Sequence, residues 1–285
     1  MAEARIGISG WLYRPWRSVF YPKGLRQADE LAYASARMTS IEVNGSFYSL
    51  QRPANWHRWR DGTPEGFLFA VKGPRFVTHI KRLRDIDAPL ANFFASGVLD
   101  LGGKLGPVLW QLPPTLAFDA ELLDAFLARL PRSRADAATL ASRHDERMEG
   151  RASWSVGRDA PIRHAVEVRH PSFEDAVDEW ATVLERHGVA SVTADTAGKY
   201  PRIDRTTADF AYARLHGEEE LYASGYDDPS LDRWAAWTRA HLDAGRDAYL
   251  YFDNDIKVRA PYDAMGLIAR LPKPPGLAAP ATDAG

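Results

Sequence analysis

The sequence predicts an α/β fold, a single-domain (β/α)8 barrel of the TIM type, from three observations. Eight short strand-like runs follow one another along the chain, and most are separated by enough residues for a helix. Strands that alternate with helices form parallel βαβ units, because a parallel pairing needs a long crossover. The length of 285 residues is close to the roughly 250 residues typical of this barrel. The predicted strands are residues 5–10, 40–44, 67–72, 107–112, 165–169, 190–195, 210–216 and 248–253.

The first strand continues into an aromatic loop, and the second strand sets the phase of the barrel. Residues 40–44 alternate, so that Glu42 and Asn44 share one face while Ile41 and Val43 share the other. The outward face of a barrel strand meets the helices and is apolar, so we expect Glu42 and Asn44 to point inward. Such barrels carry their active sites at the C-terminal ends of the strands. The same reasoning for the other strands predicts a polar mouth formed by Glu42, Asn44, Lys72, His79, Gln111, Glu167, Arg169, His170, Asp195, Arg214, His216 and Asn254.

The connection between the fourth and fifth strands is about fifty residues long, roughly twice what one helix needs. Helical patterns at 119–129 and 135–148 predict an extra helix pair there. We interpret the pair as structural, with a lid or a partner surface as the alternative. The barrel domain is assigned to residues 5–271, and the Pro-, Ala- and Gly-rich segment 272–285 is predicted to be a disordered tail.

Composition excludes several classes of chemistry and gives no sign of a membrane. The chain has no cysteine, so disulfides, thiolate nucleophiles and cysteine-ligated zinc are excluded. The lack of cysteine also favours the reducing cytoplasm, which is the predicted location. The chain enters its first strand without an apolar signal segment, and no apolar stretch approaches the roughly 20 residues of a membrane span. The net charge of −2 gives no general attraction to nucleic acid.

A series of short strings also occurs along the chain in a fixed order. They are Ile8-Ser9-Gly10-Trp11 with Tyr13 and Trp16, Glu42-Val43-Asn44 with Phe47-Tyr48, Phe69-Ala70-Val71-Lys72 with Thr78-His79, Leu105-Gly106-Pro107, Gln111-Leu112-Pro113-Pro114, Ala165-Val166-Glu167-Val168-Arg169-His170-Pro171-Ser172, Arg214-Leu215-His216-Gly217 and Tyr251-Phe252-Asp253-Asn254-Asp255. In this order they resemble the YecE-like family, domain-of-unknown-function family 72, over about residues 5 to 271. The chain departs from the family pattern at Gly45 and Ser46, where a bulkier residue and a threonine are expected. The resemblance implies a TIM-type barrel and implies no activity.

The leading functional interpretation is a cofactor-free, metal-free enzyme that acts on a small anion. Arginine forks suit a carboxylate or phosphate, and a lysine supplies a mobile charge beside them. The reaction would be hydrolysis, lysis or isomerisation of a ligand such as a phosphate ester or sugar acid, with proton transfer by carboxyl groups. The predicted catalytic residues are Glu42, Glu167 and His216. The predicted substrate-binding residues are Asn44, Lys72, Gln111, Arg169, Arg214, Asn254, Trp11 and Tyr48.

Three alternatives stay open at this point. The charged residues could simply neutralise one another, with ion pairs among Glu42, Lys72, Glu167, Arg169 and Arg214. A divalent metal held by Glu42, Glu167, Asp195, His216 and Asp253 or Asp255 would suit a phosphodiesterase or endonuclease-like enzyme on nucleic acid, although three nearby cations oppose it. A non-catalytic barrel could recognise a phosphorylated or nucleic-acid partner. The sequence does not predict an oligomeric state.

Two smaller questions concern a lysine and the aromatic loops. Lys72 could act as a Schiff-base nucleophile at its strand end, although a salt-bridged lysine is the commoner case. The aromatic residues of the first two loops could stack on a sugar ring or a nucleobase. Alternatively, they form a hydrophobic plug. The residues concerned are Trp11, Tyr13, Trp16, Phe47, Tyr48, Trp56 and Trp59.

Overall fold

The computed structural model describes residues 1–272, and in them eight parallel strands close into a barrel in chain order. Strand β1 completes the ring by pairing with β8, where Gly7 lies opposite Tyr251. The predicted (β/α)8 fold is therefore confirmed. The predicted disordered tail lies outside the described residues, apart from Pro272. The strands are β1 (Ala4–Ser9), β2 (Ser40–Val43), β3 (Leu68–Lys72), β4 (Leu105–Gln111), β5 (His164–Glu167), β6 (Ala190–Asp195), β7 (Phe210–Leu215) and β8 (Asp247–Phe252).

Helices follow every strand except β6 and cover the outside of the barrel, whereas residues 196–209 connect β6 to β7 without a helix. Among the helices of residues 1–272, none is both long and apolar enough to cross a membrane. A single π-helical turn, Phe76–Ile80, follows β3 directly, and such turns are frequent near functional sites. The α-helices are α1 (Glu30–Ser35), α2 (Gly45–Tyr48), α3 (Pro53–Asp61), α4 (Asp87–Ala95), α5 (Ala120–Leu127), α6 (Arg134–Ala141), α7 (Ser172–Asp175), α8 (Val177–His187), α9 (Asp228–Asp243) and α10 (Ala260–Ala269).

The predicted helix pair between β4 and β5 is present as α5 and α6. Asp119 caps α5 by accepting a hydrogen bond from the Leu122 amide, and Ser133 forms a capping box with Asp136 at the start of α6. The second helix is shorter than predicted, because Asp145 caps a separate turn at Glu146–Met148 instead of continuing α6. Helix α5 packs against α8, and α6 packs against α4. The pair therefore belongs to the outer helical layer.

The interior of the barrel is filled by large tyrosines facing small residues. Tyr212, Tyr249 and Tyr251 form a buried cluster with alanines and aliphatic residues of β3 to β6, which is how small barrels fill their cores. This packing settles the phase of β8, which the sequence leaves ambiguous. Side chains alternate along a strand, so every second residue from Tyr249 and Tyr251 points inward, and Asp253 therefore points inward too.

Strand β6 is the exception to the predicted phase. Its inward residues are Ala190 and Val192, so Asp195 has the opposite parity and faces the helices. There, burial raises the pKa of Asp195. The assignment of Asp195 to the mouth is therefore corrected.

The aromatic residues of the first loops mainly form a packed plug. Trp16 and Trp56 are fully buried. Trp11 is also buried, and its ring packs edge-on against Trp59 with the ring centroids 5.2 Å apart. The predicted substrate contact by Trp11 is corrected, because its ring is engaged in this core.

Candidate functional site

Arg214 is the central cation of the mouth and is fully buried. Its Nη2 donates to Glu42 Oε1 and to Asp253 Oδ2, each at 2.8 Å. Its Nη1 donates to Glu167 Oε2 at 2.6 Å and approaches His216 Nε2 at 3.3 Å. Its Nε is 3.1 Å from Glu42 Oε2. All five donors of the guanidinium are therefore directed at protein atoms.

This geometry corrects the predicted role of Arg214. An arginine whose donors are all used cannot also hold a substrate anion without losing internal bonds. Arg214 instead neutralises three carboxylates that come from β2, β5 and the end of β8. A buried charge is tolerated only when it is paired in this way.

Glu42 is one of the two fully buried carboxylates of this network, together with Glu167. Glu42 accepts hydrogen bonds from Ser9 Oγ at 2.7 Å and from the Tyr212 hydroxyl at 2.6 Å, in addition to Arg214. A carboxylate surrounded by donors cannot exchange a proton with a substrate unless the network opens. The predicted proton-transfer role of Glu42 is therefore corrected to a structural one.

Glu167 and His216 lie in the mouth as predicted, but both are fully buried. Burial alone would raise the pKa of Glu167, yet the Arg169 and Arg214 charges outweigh it and hold this pKa well below its usual value. Burial and the charge of Arg214 lower the pKa of His216, so its ring is neutral at pH 7. Its Nδ1 lies 3.1 Å from Asp253 Oδ2. Catalysis by Glu167 or His216 stays a prediction, and an ionised Glu167 could act only as an acceptor.

Lys72 differs from Arg214 because its ammonium is unpaired. Lys72 ends β3, points inward and is 7% exposed. Its Nζ lies 4.3 Å from the centroid of the Phe47 ring. Within residues 1–272 this Nζ forms no ion pair or hydrogen bond, and it is not among the fully enclosed unpaired atoms. The prediction that Lys72 joins the ion pairs is therefore wrong, and its charge is free to meet a ligand.

Arg169 also keeps donors available. Its Nε donates to Glu167 Oε1 at 2.7 Å, and its Cζ lies 4.8 Å from the Tyr200 ring centroid. Neither Nη atom has a hydrogen-bond acceptor with normal geometry in the described part of the chain. The Tyr222 hydroxyl adjoins this guanidinium, and burial raises the pKa of Tyr222. Tyr222 has a positive φ of 64°, a strained conformation that often marks functional positions.

Two further polar groups lie beside these cations. Gln111 ends β4 opposite Glu167, and its side-chain amide has no hydrogen-bond partner in residues 1–272. His79 lies in the π turn, with its ring 5.1 Å from that of Phe47. Burial, followed by the Lys72 and Arg169 charges, lowers the pKa of His79 to about 4. Lys72 and Arg169 therefore lie near the neutral imidazole of His79. The unpaired amide of Gln111 comes from β4, the strand between those that carry the two cations.

The opposite rim of the mouth is acidic. Burial and the neighbouring Asp253 charge raise the pKa of Asp255 to about 6. Burial would also raise the pKa of Asp253, but Arg214 outweighs it and holds this pKa at about 2. The Tyr13 hydroxyl, whose pKa burial raises, lies beside Asp255 and the Asn44 amide. The Oδ1 atom of Asn44 is buried without a partner in residues 1–272.

Asn254 and Tyr48 form no hydrogen bond or cation–π contact with Lys72, Arg169 or Arg214. The Asn254 amide nitrogen donates to the Ser224 carbonyl at 2.8 Å and to Asp263 Oδ2 at 2.7 Å, so it fastens the loop after β8. Its Oδ1 has no hydrogen-bond partner in residues 1–272, and substrate contact by Asn254 stays a prediction. Tyr48 is 71% exposed and lines a neighbouring groove of about 340 Å³ together with Arg75.

The residues proposed as metal ligands do not fit a metal site. Glu42, Glu167 and Asp253 all bind Arg214, and Asp195 faces away from the interior. In residues 1–272 no three His, Asp or Glu side chains are arranged to hold a metal ion. A metal would have to displace a fully buried guanidinium.

Sequence reasoning missed several members of the site and considered Asp253 only as a possible metal ligand. Ser9 and Tyr212 hold Glu42, and Tyr222 adjoins Arg169, while Asp253 completes the Arg214 network. Asp253 and Tyr212 follow from strand phase once the inward parity of β7 and β8 is known. Tyr222 carries no local signal, because it lies in the loop after β7.

The fold and the site are those of a TIM-type barrel with a buried, arginine-centred ion network at its C-terminal mouth. The chain belongs to the family described as "Protein of unknown function DUF72", whose model matches residues 5–284. The predicted family is confirmed.

Comparisons with individual proteins agree with this assignment. The chain is 26% identical to the UPF0759 protein YecE of Escherichia coli strain K12 over 195 residues, which are 67% of this chain and 58% of YecE. It is 32% identical to the UPF0759 protein YunF of Bacillus subtilis strain 168 over 114 residues, covering 38% of this chain and 39% of YunF. The matched region thus spans little more than half the length of YecE.

Solved structures show the same fold. A DUF72 family protein of Thermotoga maritima MSB8 superposes with a TM-score of 0.73 at 24% identity, covering 94% of this chain and 98% of that one. A DUF72 family protein of Enterococcus faecalis V583 gives a TM-score of 0.72 at 13% identity, with 94% of each chain covered.

Proposed function

We propose that the protein is an enzyme that binds a small anionic molecule inside the barrel mouth, between Lys72 and Arg169. The observation that carries the proposal is that the three cations of the mouth differ in how many of their hydrogen-bond donors are already bound to protein atoms. The donors of Arg214 are directed at protein atoms, mainly carboxylates. Lys72 Nζ and both Nη atoms of Arg169 have no carboxylate acceptor within residues 1–272. A lysine and an arginine fork with free donors suit a carboxylate or a phosphate.

Burial favours a small ligand over a nucleic acid. Lys72 is 7% exposed and Arg169 is 9% exposed. The phosphates of a duplex follow a wide, stiff surface and cannot enter so enclosed a mouth. An isolated carboxylate or phosphate can, and it would meet the Gln111 amide between β3 and β5. The cytoplasm remains the proposed location, and no cofactor is invoked.

The carboxyl pair on the opposite rim supports a reaction that moves a proton. Asp253 stays ionised with a pKa of about 2, whereas Asp255 has a pKa of about 6. Two nearby carboxyl groups with pKa values driven apart are the usual arrangement of an acid and its partner. Asp255 therefore replaces Glu42 as the proposed proton donor. Hydrolysis, lysis and isomerisation all use such a group.

A ligand panel tests the proposal. Thermal unfolding is followed with inorganic phosphate, a sugar phosphate, a sugar acid and an oligonucleotide, because a ligand that binds only the folded state raises the midpoint. We expect the small anions to stabilise wild type and to lose this effect in Arg169→Gln. Arg143→Gln is the matched control, because Arg143 is exposed just after helix α6 and its side chain forms no ion pair or hydrogen bond within residues 1–272. No stabilisation by any small anion, or equal stabilisation of Arg169→Gln, would overturn the proposal.

A further inference from the structure

We infer that Lys72 is a nucleophile that captures a small carbonyl compound as an imine, with Arg169 holding the carboxylate or phosphate of the same ligand. The inference rests on the proposed function and adds the chemistry of the anion. Lys72 ends β3 on the inward face, at the rim where such barrels do their chemistry. A second cation with free donors lies in the same region.

The surroundings of Lys72 suit an amine better than a permanent charge. Phe47 covers one side of the ammonium at 4.3 Å, and no carboxylate of residues 1–272 forms an ion pair with it. The charged groups that act on it are Arg214, Glu42, Asp253 and Glu167. Burial, and then Arg214, lowers the pKa of Lys72 to about 8. Desolvation next to another cation is a known way to activate a lysine nucleophile.

The polar groups nearby match the needs of imine formation. The neutral amine of Lys72 attacks the carbonyl carbon, a C–N bond forms, and the carbonyl oxygen leaves as water. The overall change is Lys–NH3⁺ + O=CR2 → Lys–NH⁺=CR2 + H2O, in which atoms and charge balance. The iminium keeps the positive charge that Glu42, Glu167 and Asp253 already face. The proton that the Lys72 ammonium loses before attack returns to the departing hydroxyl, so the step consumes no outside acid.

The class of ligand follows from Lys72 and Arg169 together. It must carry a ketone or aldehyde within a few atoms of a carboxylate or phosphate, because both ends bind in one enclosed mouth. The 2-oxo acids and the small phosphorylated ketones or aldehydes have this chemistry. An imine with such a ligand serves carbon–carbon lysis, dehydration or isomerisation, so the inference narrows the proposed reactions away from simple ester hydrolysis.

Reductive trapping tests the inference on the intact protein. Wild type is incubated at pH 7 with sodium cyanoborohydride and either pyruvate, for the carboxylate source, or dihydroxyacetone phosphate, for the phosphate source. Acetone serves as the carbonyl probe without an anion. The chain has seven lysines, so peptide mass spectrometry assigns every adduct. Exposed Lys199 is the internal reference, and Lys72→Arg keeps the charge but cannot form the imine.

We expect Lys72 to be labelled at least about tenfold faster than Lys199, because burial and the Arg214 charge lower the pKa of Lys72 to about 8. Pyruvate or dihydroxyacetone phosphate should label it more than acetone, and Arg169→Gln should lower that preference. Labelling of Lys72 no faster than Lys199 would overturn the inference, provided that circular dichroism shows the protein is folded. If phosphate stabilises wild type but not Arg169→Gln, and no adduct forms on Lys72, the proposed function stands and only the imine is refuted. Absence of both would refute both.

Discussion

Replacing Arg214 with methionine removes the cation that Glu42, Glu167 and Asp253 share, while keeping a long side chain of comparable reach. Breaking a buried ion pair by removing one partner typically costs about 3–5 kcal/mol, because the other charge stays buried and uncompensated. Here three carboxylates lose their common partner, all within 2.8 Å of an Arg214 nitrogen. We therefore expect Arg214→Met to lower the free energy of unfolding by at least about 3 kcal/mol. For a chain of this size, that corresponds to a fall in Tm of roughly 6–12 °C.

The assay is urea unfolding of wild type and Arg214→Met at pH 7 and at pH 5. The loss should be smaller at pH 5, because uncompensated carboxylates can then take up protons. Adding Glu42→Gln to Arg214→Met should restore part of the stability, since it removes one buried charge. Arg143→Gln is the control for a lost surface arginine. A loss below about 1 kcal/mol, the size of an exposed pair, would refute the interpretation of Arg214 as the structural centre.

Three further predictions concern the rest of the mouth. The folded pKa of Lys72, about 8, lies below the ordinary lysine value of 10.5, so the unfolded chain binds more protons between these pH values. The free energy of unfolding of wild type, measured in urea relative to Lys72→Met, should therefore rise between pH 8 and pH 10.5 by up to about 3 kcal/mol. A difference between the two proteins that does not change with pH would contradict this. The pKa of Asp255 in the folded protein is raised to about 6, so ionising this carboxyl destabilises the folded state as the pH rises from 4 to 7. Asp255→Asn should therefore become more stable relative to wild type over this range. The same difference in the free energy of unfolding at pH 4 and pH 7 would argue against the raised pKa. A Cβ added at Gly73 would lie 2.4 Å from the buried Trp110 ring, so Gly73→Ala should cost about 1–3 kcal/mol by overpacking, and unchanged thermal unfolding would contradict the close approach.

The inward phase of the strands could be predicted from sequence because a helical layer demands apolar side chains on the outer face. That rule places Glu42, Lys72 and Gln111 inward, as observed. It fails on β6, where the outward residues are polar: the Ser191 hydroxyl accepts a hydrogen bond from the Trp180 indole, and the Thr193 hydroxyl bonds Asp204. Outward polar residues with partners from helices and loops have no local signature.

The partners within the mouth could not be predicted from sequence. Arg214, Arg169 and Lys72 are equivalent as cations at strand ends, and only the closed barrel decides which carboxylates each one reaches. Glu42 and Arg214 are 172 positions apart. Strand phase therefore predicts the members of the site, while their roles depend on long-range distances.

The central claim is that Lys72 and Arg169 bind one anion together. A double-mutant cycle measures this directly: the affinity for inorganic phosphate is determined by calorimetric titration for wild type, Lys72→Met, Arg169→Gln and the double variant. We expect each single change to weaken phosphate binding and the two effects to be coupled by about 0.5–3 kcal/mol, as for residues that share a contact. Effects that add within about 0.3 kcal/mol, or phosphate affinity that neither change alters, would contradict it.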